Sequence, residues 1–528
     1  MKKNILKSGV AVLIACNLVA CTKKLDLAPT NGITAASVYS TPTGYTEAFA
    51  KVYGAFALTG NQGPAGNGDV QGIDEGTSDF LRLFWKAQEL STDEAVIAWG
   101  DVGIQDFHNM NWSSSNPFLK GVYYRSLYQV TLANDFIRQS TDAQLSARGI
   151  SGPDADAIRK YRAEARFLRA YQYWVLLDLF GSVPLVTEEA VVNVTVPQQA
   201  SRTTLFNYVE SELKAIDSQL AAPRTNGYGR ADQAAEWALL ARLYLNAQVY
   251  TGTARWADAE AYAAKVIGAG YSLIPNYKNL MLADNQQNTS EFIMTINYDG
   301  QKTQGYGGTT FLVHASVGGS EPAASFGISG GWAGARCTKN LPNLFPDVTG
   351  TADKRSQFYT SGQNIDINDQ STFTDGYAVT KYRNVTQAGA PGSSLDFSDI
   401  DFPIFRLSEM YLIYAEAVVR ANNVTDLPTA LIYINNIRTR AYGNATGNIA
   451  SAALTLQFIL DERGRELYWE GFRRTDLIRY GKFTDASYLW PWKGGVKAGV
   501  GVASYRNIYP IPADDITANP TLVQNPGY

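Results

Sequence analysis

Cysteine is nearly absent from the chain, with three in 528 residues, at positions 16, 21 and 337. Two of them fall in or beside an apolar leader, which leaves Cys337 without a partner for an intrachain disulfide or a thiolate metal site. Histidine is scarcer still, limited to His108 and His314. That scarcity bears on Gly327-Ile328-Ser329-Gly330-Gly331, which has the G-x-S-x-G spacing of a nucleophile elbow. Such hydrolases need a histidine later in the chain, and both histidines here precede the motif, which also lacks a strand before it and a helix after it. A serine hydrolase is set aside. Beyond the leader, no run approaches the roughly 18 consecutive apolar residues of a membrane helix. A net charge of -4 with a pI near 5.5 offers no basic footprint for nucleic acid, so that partner class is set aside too.

The chain opens with Met1-Lys2-Lys3 and Lys7, followed by apolar Val10 to Ala15 and Leu18-Val19-Ala20. Basic residues ahead of an apolar run too short to span a bilayer predict a signal peptide. The run ends in Leu18-Val19-Ala20-Cys21, which looks like a bacterial lipobox, a small residue followed by the cysteine to be acylated. Residues 1–20 are therefore expected to be removed, with lipid on Cys21 and 21–40 as anchor and tether. Stable anchoring takes more than one lipid chain, as bacterial lipoproteins carry. The body is expected over 41–528, in two parts, about 41–270 and 271–528.

Helical periodicity begins near Tyr45 and is strongest over Asp154 to Phe180, where Ala163, Phe167, Ala170, Tyr171 and Trp174 recur at three-to-four spacing and Gly181 ends the run. Further helices are predicted over 232–250, 256–267, 407–421, 427–442 and 456–480. Alanines one turn from large aromatics let helix axes approach closely, which is the pattern of tetratricopeptide-type pairs. The predicted fold is thus mostly α, a tetratricopeptide-like scaffold of helical pairs with long irregular insertions. Residues 60–76 are glycine-rich and residues 272–403 are rich in Gly, Asn, Ser, Thr and Asp, with short β-like runs such as Phe292 to Ile296. Long irregular segments on a rigid scaffold commonly carry function. Aromatics, 12% of the chain, exceed what a helical core alone asks for. They either pack loops onto helices or face a ligand.

Several blocks together resemble the SusD/RagB family. They are Phe405-Arg406-Leu407-Ser408-Glu409-Met410-Tyr411-Leu412, Asp461-Glu462-Arg463-Gly464-Arg465-Glu466-Leu467, Gly471-Phe472-Arg473-Arg474-Thr475-Asp476-Leu477-Ile478-Arg479, Ile508-Tyr509-Pro510-Ile511-Pro512 and, earlier, Arg162 to Ala170 and Asp178 to Pro184. The resemblance spans nearly the whole mature chain in order. It implies an outer-membrane lipoprotein, exposed at the cell surface, that binds oligosaccharide without cleaving it and covers a SusC-like TonB-dependent transporter. No cofactor and no metal is implied. The alternating signs of Glu462, Arg463, Arg465 and Glu466 favour local ion pairs along one helix, a structural role.

Within the family the resemblance runs closest to its starch-binding founding member and reaches that member's sugar-binding positions. Trp99, Tyr306 and Trp332 match an arc of three aromatics that follows an α-glucan. A pyranose lays C–H groups against such rings while its hydroxyls meet polar side chains. Arg82 matches an arginine whose two parallel donors suit adjacent hydroxyls. Asp101 stands near where the relative has an asparagine and is a weak substitute. Two rivals stay open: a same-family lid that assembles or binds peptide, its rings only packing, and a glycoside hydrolase. The pair Asp93-Glu94 could supply carboxylates for the latter, although adjacent residues rarely address one bond and an acidic helix start explains them better.

Overall fold

A computed structural model describes residues 34–190 and 196–528. Cys21 and the leader lie outside the described residues. Twelve helices carry the architecture: α1 (Pro42–Gly54), α2 (Phe80–Glu89), α3 (Pro117–Gln139), α4 (Gly152–Phe180), α5 (Arg202–Ile216), α6 (Gln233–Leu245), α7 (Trp256–Ile267), α8 (Gly308–Ser316), α9 (Leu407–Arg420), α10 (Leu427–Tyr442), α11 (Leu456–Leu467) and α12 (Arg473–Arg479). Their starts follow capping chemistry. The side chains of Thr41, Asp79, Asn116, Ser201, Asp232 and Thr455 each accept an N–H of the first turn.

Neighbouring helices pack in succession. α3 lies on α4, α4 on α5, α6 on α7, α7 on α9, and α9 on α10 and α11. This is the helical-pair scaffold that the spacing of small and aromatic residues predicts. Ala163, Ala165 and Ala170 of α4 are buried beside Phe167, Tyr171 and Trp174, and Ala415 and Ala417 play the same part in α9. Among the described residues, no helix is long and apolar enough to cross a membrane.

Strands are short. β1 (Val96–Ile97) pairs antiparallel with β3 (Ala335–Arg336), and β2 (Phe292–Ile296) with β4 (Phe402–Arg406). The second ladder returns the chain from the irregular insertion directly into α9. The insertion also contributes α8, which packs against α2. That contact positions the candidate site.

Three sequence expectations change. The stretch 456–480 is two helices, broken where Trp469 and Gly471 take positive φ of 64° and 83°. The freed N–H groups of Gly471 and Phe472 donate to Glu89 Oε1 at 2.6 and 3.2 Å, so a tertiary carboxyl oxygen replaces helix continuation. The stretch 232–250 likewise stops at Leu245, with Asp232 as its cap, and a short helix, Ala247–Thr251, follows. Asp93 and Glu94 do not start a helix. They lie buried just beyond α2, where Asp93 pairs with Arg473 at 2.7 Å.

The charged motifs are structural, but their pairs are long-range and buried more than local. Glu466 meets Arg406 at 2.6 Å, Arg440 at 2.5 Å and Arg355 at 3.3 Å; Glu462 meets Arg355, Arg438 and Arg465; Glu416 meets Arg479 at 2.7 Å. Among Glu462, Arg463, Arg465 and Glu466, the bridge between Glu462 and Arg465 is the one expected neighbour pair on the helix face. Such pairs specify which helix meets which, because removing one partner strands a buried charge.

Candidate aromatic binding platform

Three chain segments that are far apart in sequence are stitched together by hydrogen bonds to the backbone. Ala98 N–H donates to Gly334 O at 2.8 Å, just beyond the pairing of β1 with β3, which fixes Trp99 beside the 330–334 loop. Trp332 N–H donates to His314 O at 2.7 Å, which docks the same loop on the end of α8. Asp79 caps α2 by accepting Arg82 N–H at 2.8 Å, and its Oδ1 also accepts Gly308 N–H at 2.7 Å, which ties the Tyr306 loop to the start of α2. That loop approaches too closely for side chains. A Cβ on Gly307 would stand 2.0 Å from the Asp79 Cβ, and one on Gly308, whose φ is +54°, would stand 2.3 Å from the Tyr298 ring.

The result brings all three predicted rings together. Trp99 and Trp332 have centroids 6.4 Å apart at 45°, and Tyr306 and Trp332 6.2 Å apart at 67°. Both indoles are half-buried, and Tyr306 is 39% exposed, so the group forms an open surface and not a core cluster. Trp99 Nε1 donates to Trp332 O at 3.0 Å, which locks the two indoles to each other. The Trp99 ring lies where a Cβ on Gly334 would come within 2.4 Å, so glycine there is required.

Arg82 lies beneath the rings and is buried. Its guanidinium is 4.7 Å from the Phe311 centroid, 5.5 Å from Trp99 and 6.0 Å from Trp332. Nη1 donates to the carbonyls of Tyr306 at 2.7 Å and Gly76 at 3.1 Å, so one edge of the fork holds the loop and is not free for hydroxyls. The other edge differs. Nε is buried without an acceptor, and Nη2 has no hydrogen-bond partner among the described residues. Leaving a donor so costs about 1–3 kcal/mol unless water or a ligand takes it. Burial lowers the Arg82 pKa to about 10, still far above neutrality, so the charge persists. Asp101 is exposed, on the loop after Trp99, and its negative charge acts on Arg82 through space.

Further residues complete the platform. His314 stacks on Trp332 at 4.8 Å and 23°, and its Nδ1 lies 2.7 Å from Gly330 O. Burial lowers its pKa, so the ring is neutral at pH 7, with Nδ1–H the donor. Phe311 supports Trp99 at 6.0 Å, and Phe397 flanks Tyr306 at 5.9 Å. These three are not marked by any motif. The sole signal for His314 is its rarity in the sequence. Ser329 Oγ donates to Asp396 Oδ1 at 2.6 Å, with neither histidine on it, so the G-x-S-x-G stretch has no elbow chemistry.

A SusD family profile matches residues 346–528, and one described as "Starch-binding associating with outer membrane" matches 87–245. The chain is 36% identical, over its whole length and 99% of the relative, to the starch-binding protein SusD of Bacteroides thetaiotaomicron. It is 25% identical to SusD-like protein P25 of Formosa agariphila over 74% of this chain and 77% of that one. Among solved structures, surface glycan-binding protein A from Bacteroides thetaiotaomicron in complex with laminarihexaose superposes with a TM-score of 0.69 at 21% identity, covering 92% of this chain and 99% of that one, which establishes the shared fold. From the two profiles and a whole-length relative above a third identical, the chain belongs to the SusD family.

Proposed function

We propose that this protein is a non-catalytic, lipid-anchored glycan-binding protein of the outer membrane, which captures oligosaccharide at the cell surface and passes it to a SusC-like TonB-dependent transporter. The observation that carries the reading is the convergence of Trp99, Tyr306 and Trp332 on one open surface above an arginine with unpartnered donors. The rings supply flat apolar faces for pyranose C–H groups, and Arg82 Nη2 faces the hydroxyl edge. A starch-like α-glucan is the favoured ligand because the whole-length relative is a starch-binding protein. A β-glucan is the second choice, since a structural neighbour holds laminarihexaose.

A pure packing role for the rings draws support from the Trp99 indole N–H, which ends on the protein itself. Affinity electrophoresis in gels cast with starch, laminarin or xylan separates the readings. Retardation that disappears in Trp332→Ala, with the circular dichroism spectrum unchanged, carries the glycan reading. No retardation in any gel overturns it. Release of reducing sugar from starch by the purified protein would replace capture with hydrolysis.

A further inference from the structure

The aromatic surface continues past Trp99. The Trp99 carbonyl accepts from Gln105 Nε2 at 3.2 Å, and the same nitrogen lies 3.4 Å from Ser371 Oγ. Gln105 is thus a wall shared with a second open cleft of about 430 Å³, whose side-chain lining is Gln105, Asn109, Asn111, Asp369, Gln370, Ser371 and Trp492. A volume of this order falls within the usual range for ligand sites.

The chemistry of the lining is specific. Gln370 Nε2 donates to Asn109 Oδ1 at 2.9 Å, which fixes the orientation of both amides. Asn109 Nδ2, Gln370 Oε1, Gln105 Oε1 and the whole amide of Asn111 are then without hydrogen-bond partners among the described residues. Trp492 Nε1 donates to Ile367 O at 3.0 Å, and Trp492, Gly494 and Gly495 all take positive φ in one tight turn, so the indole is pinned and contributes surface, not a donor. Neutral amides donate and accept as hydroxyls do. Asp369, which accepts Ser371 N–H at 2.9 Å, adds a carboxylate acceptor to this wall. Amides and an acceptor beside an indole suit a polyhydroxylated ligand that carries no negative charge.

We propose that this cleft is a second glycan subsite, into which a chain lying on Trp99, Tyr306 and Trp332 extends past Gln105, so that the protein prefers oligosaccharides long enough to occupy both. The inference rests on the glycan reading of the aromatic platform. Titration calorimetry with maltotriose and maltoheptaose, repeated with laminaritriose and laminariheptaose, tests it on the wild type, Asn111→Ala and Asn111→Trp. Asn111 is exposed and outside the platform. In the wild type the heptasaccharide should bind at least about tenfold tighter than the trisaccharide. Asn111→Ala should weaken the heptasaccharide about three- to tenfold, as loss of one or two hydrogen bonds implies. Asn111→Trp, which fills the cleft, should reduce it to the trisaccharide level, with trisaccharide affinity unchanged in both. A wild-type length preference retained in both variants overturns the subsite and leaves the platform standing. Failure of the wild type to bind any of the four sugars overturns the platform reading and the subsite with it.

Discussion

Two arginines, Arg406 and Arg82, show how differently one side chain serves two regions of this molecule. Arg406, at the junction of β4 and α9, gives every nitrogen to a partner: Nε and Nη2 to Glu470, Nη1 to Glu291, Glu466 and Ser408, and Nη2 again to Glu466 O. Arg82 gives one nitrogen to two loop carbonyls and has an edge left over beneath three rings. Both are buried. What separates the frame from the proposed binding surface is therefore not burial or charge but how many donors the fold has already satisfied.

The largest expected effect tests the frame. Arg406→Ala leaves Glu291, Glu466 and Glu470 short of their cation and should lower the unfolding free energy by about 3–5 kcal/mol in urea titration. Glycan retention should be unchanged at temperatures where the variant is folded. Arg82→Ala should reverse the pattern, with glycan affinity down about ten- to a hundredfold, as the loss of charged hydrogen bonds implies, and a smaller loss of stability. Arg82→Lys should not restore binding, because an ammonium cannot hold the carbonyls of Gly76 and Tyr306 and still present a planar edge. Equal stability losses in Arg406→Ala and Arg82→Ala would erase the distinction.

Carboxylates sharpen the same contrast. Despite burial, Arg479 holds Glu416 and Arg355 holds Glu462 at about 2, below the usual 4.5. Their contribution is present above the unfolded pKa and is lost as pH falls toward 2, so the C-terminal helices should resist mild acid. Glu89, the last residue of α2, and Glu94, just beyond it, go the other way, raised by burial, Glu94 to about 8. The contribution of Glu94 is full below about pH 4.5 and fades as pH rises to 8. Glu94→Gln should therefore flatten the decline in urea midpoint over that interval and leave the acid limb untouched. The smallest effect belongs to Asp101→Ala, an exposed residue, with a stability change within about 0.5 kcal/mol.

How much of this was readable from residues alone depends on where each signal lies. α7 and α10 match their predicted spans, and α4 begins two residues early, because each alternates small and large apolar residues at helical spacing. α2 is not legible in that way: Arg82, Lys86, Gln88 and Glu89 resemble a solvated side, yet all are buried by α3, α8, α12 and the loops. The ion-pair motifs are contiguous and easily recognised, but their partners Arg355 and Glu291 lie in irregular segments that no period marks. Of the platform, the resemblance supplied Trp99, Tyr306, Trp332 and Arg82. Phe311, His314 and Phe397 become neighbours of those rings only through tertiary packing.

The hydrogen bond from the Trp99 indole to the Trp332 backbone has an evolutionary consequence. A ring that has surrendered its single donor cannot read the pattern of equatorial and axial groups on a sugar; it can register only contour and polarisability. On the proposed glycan reading, adapting this surface to a different linkage therefore requires a loop to tilt, not a new polar group to arise, which is a short mutational path. On that reading, relatives that take other linkages should differ first in the lengths of the segments carrying Tyr306 and Trp332, with the indole at 99 retained.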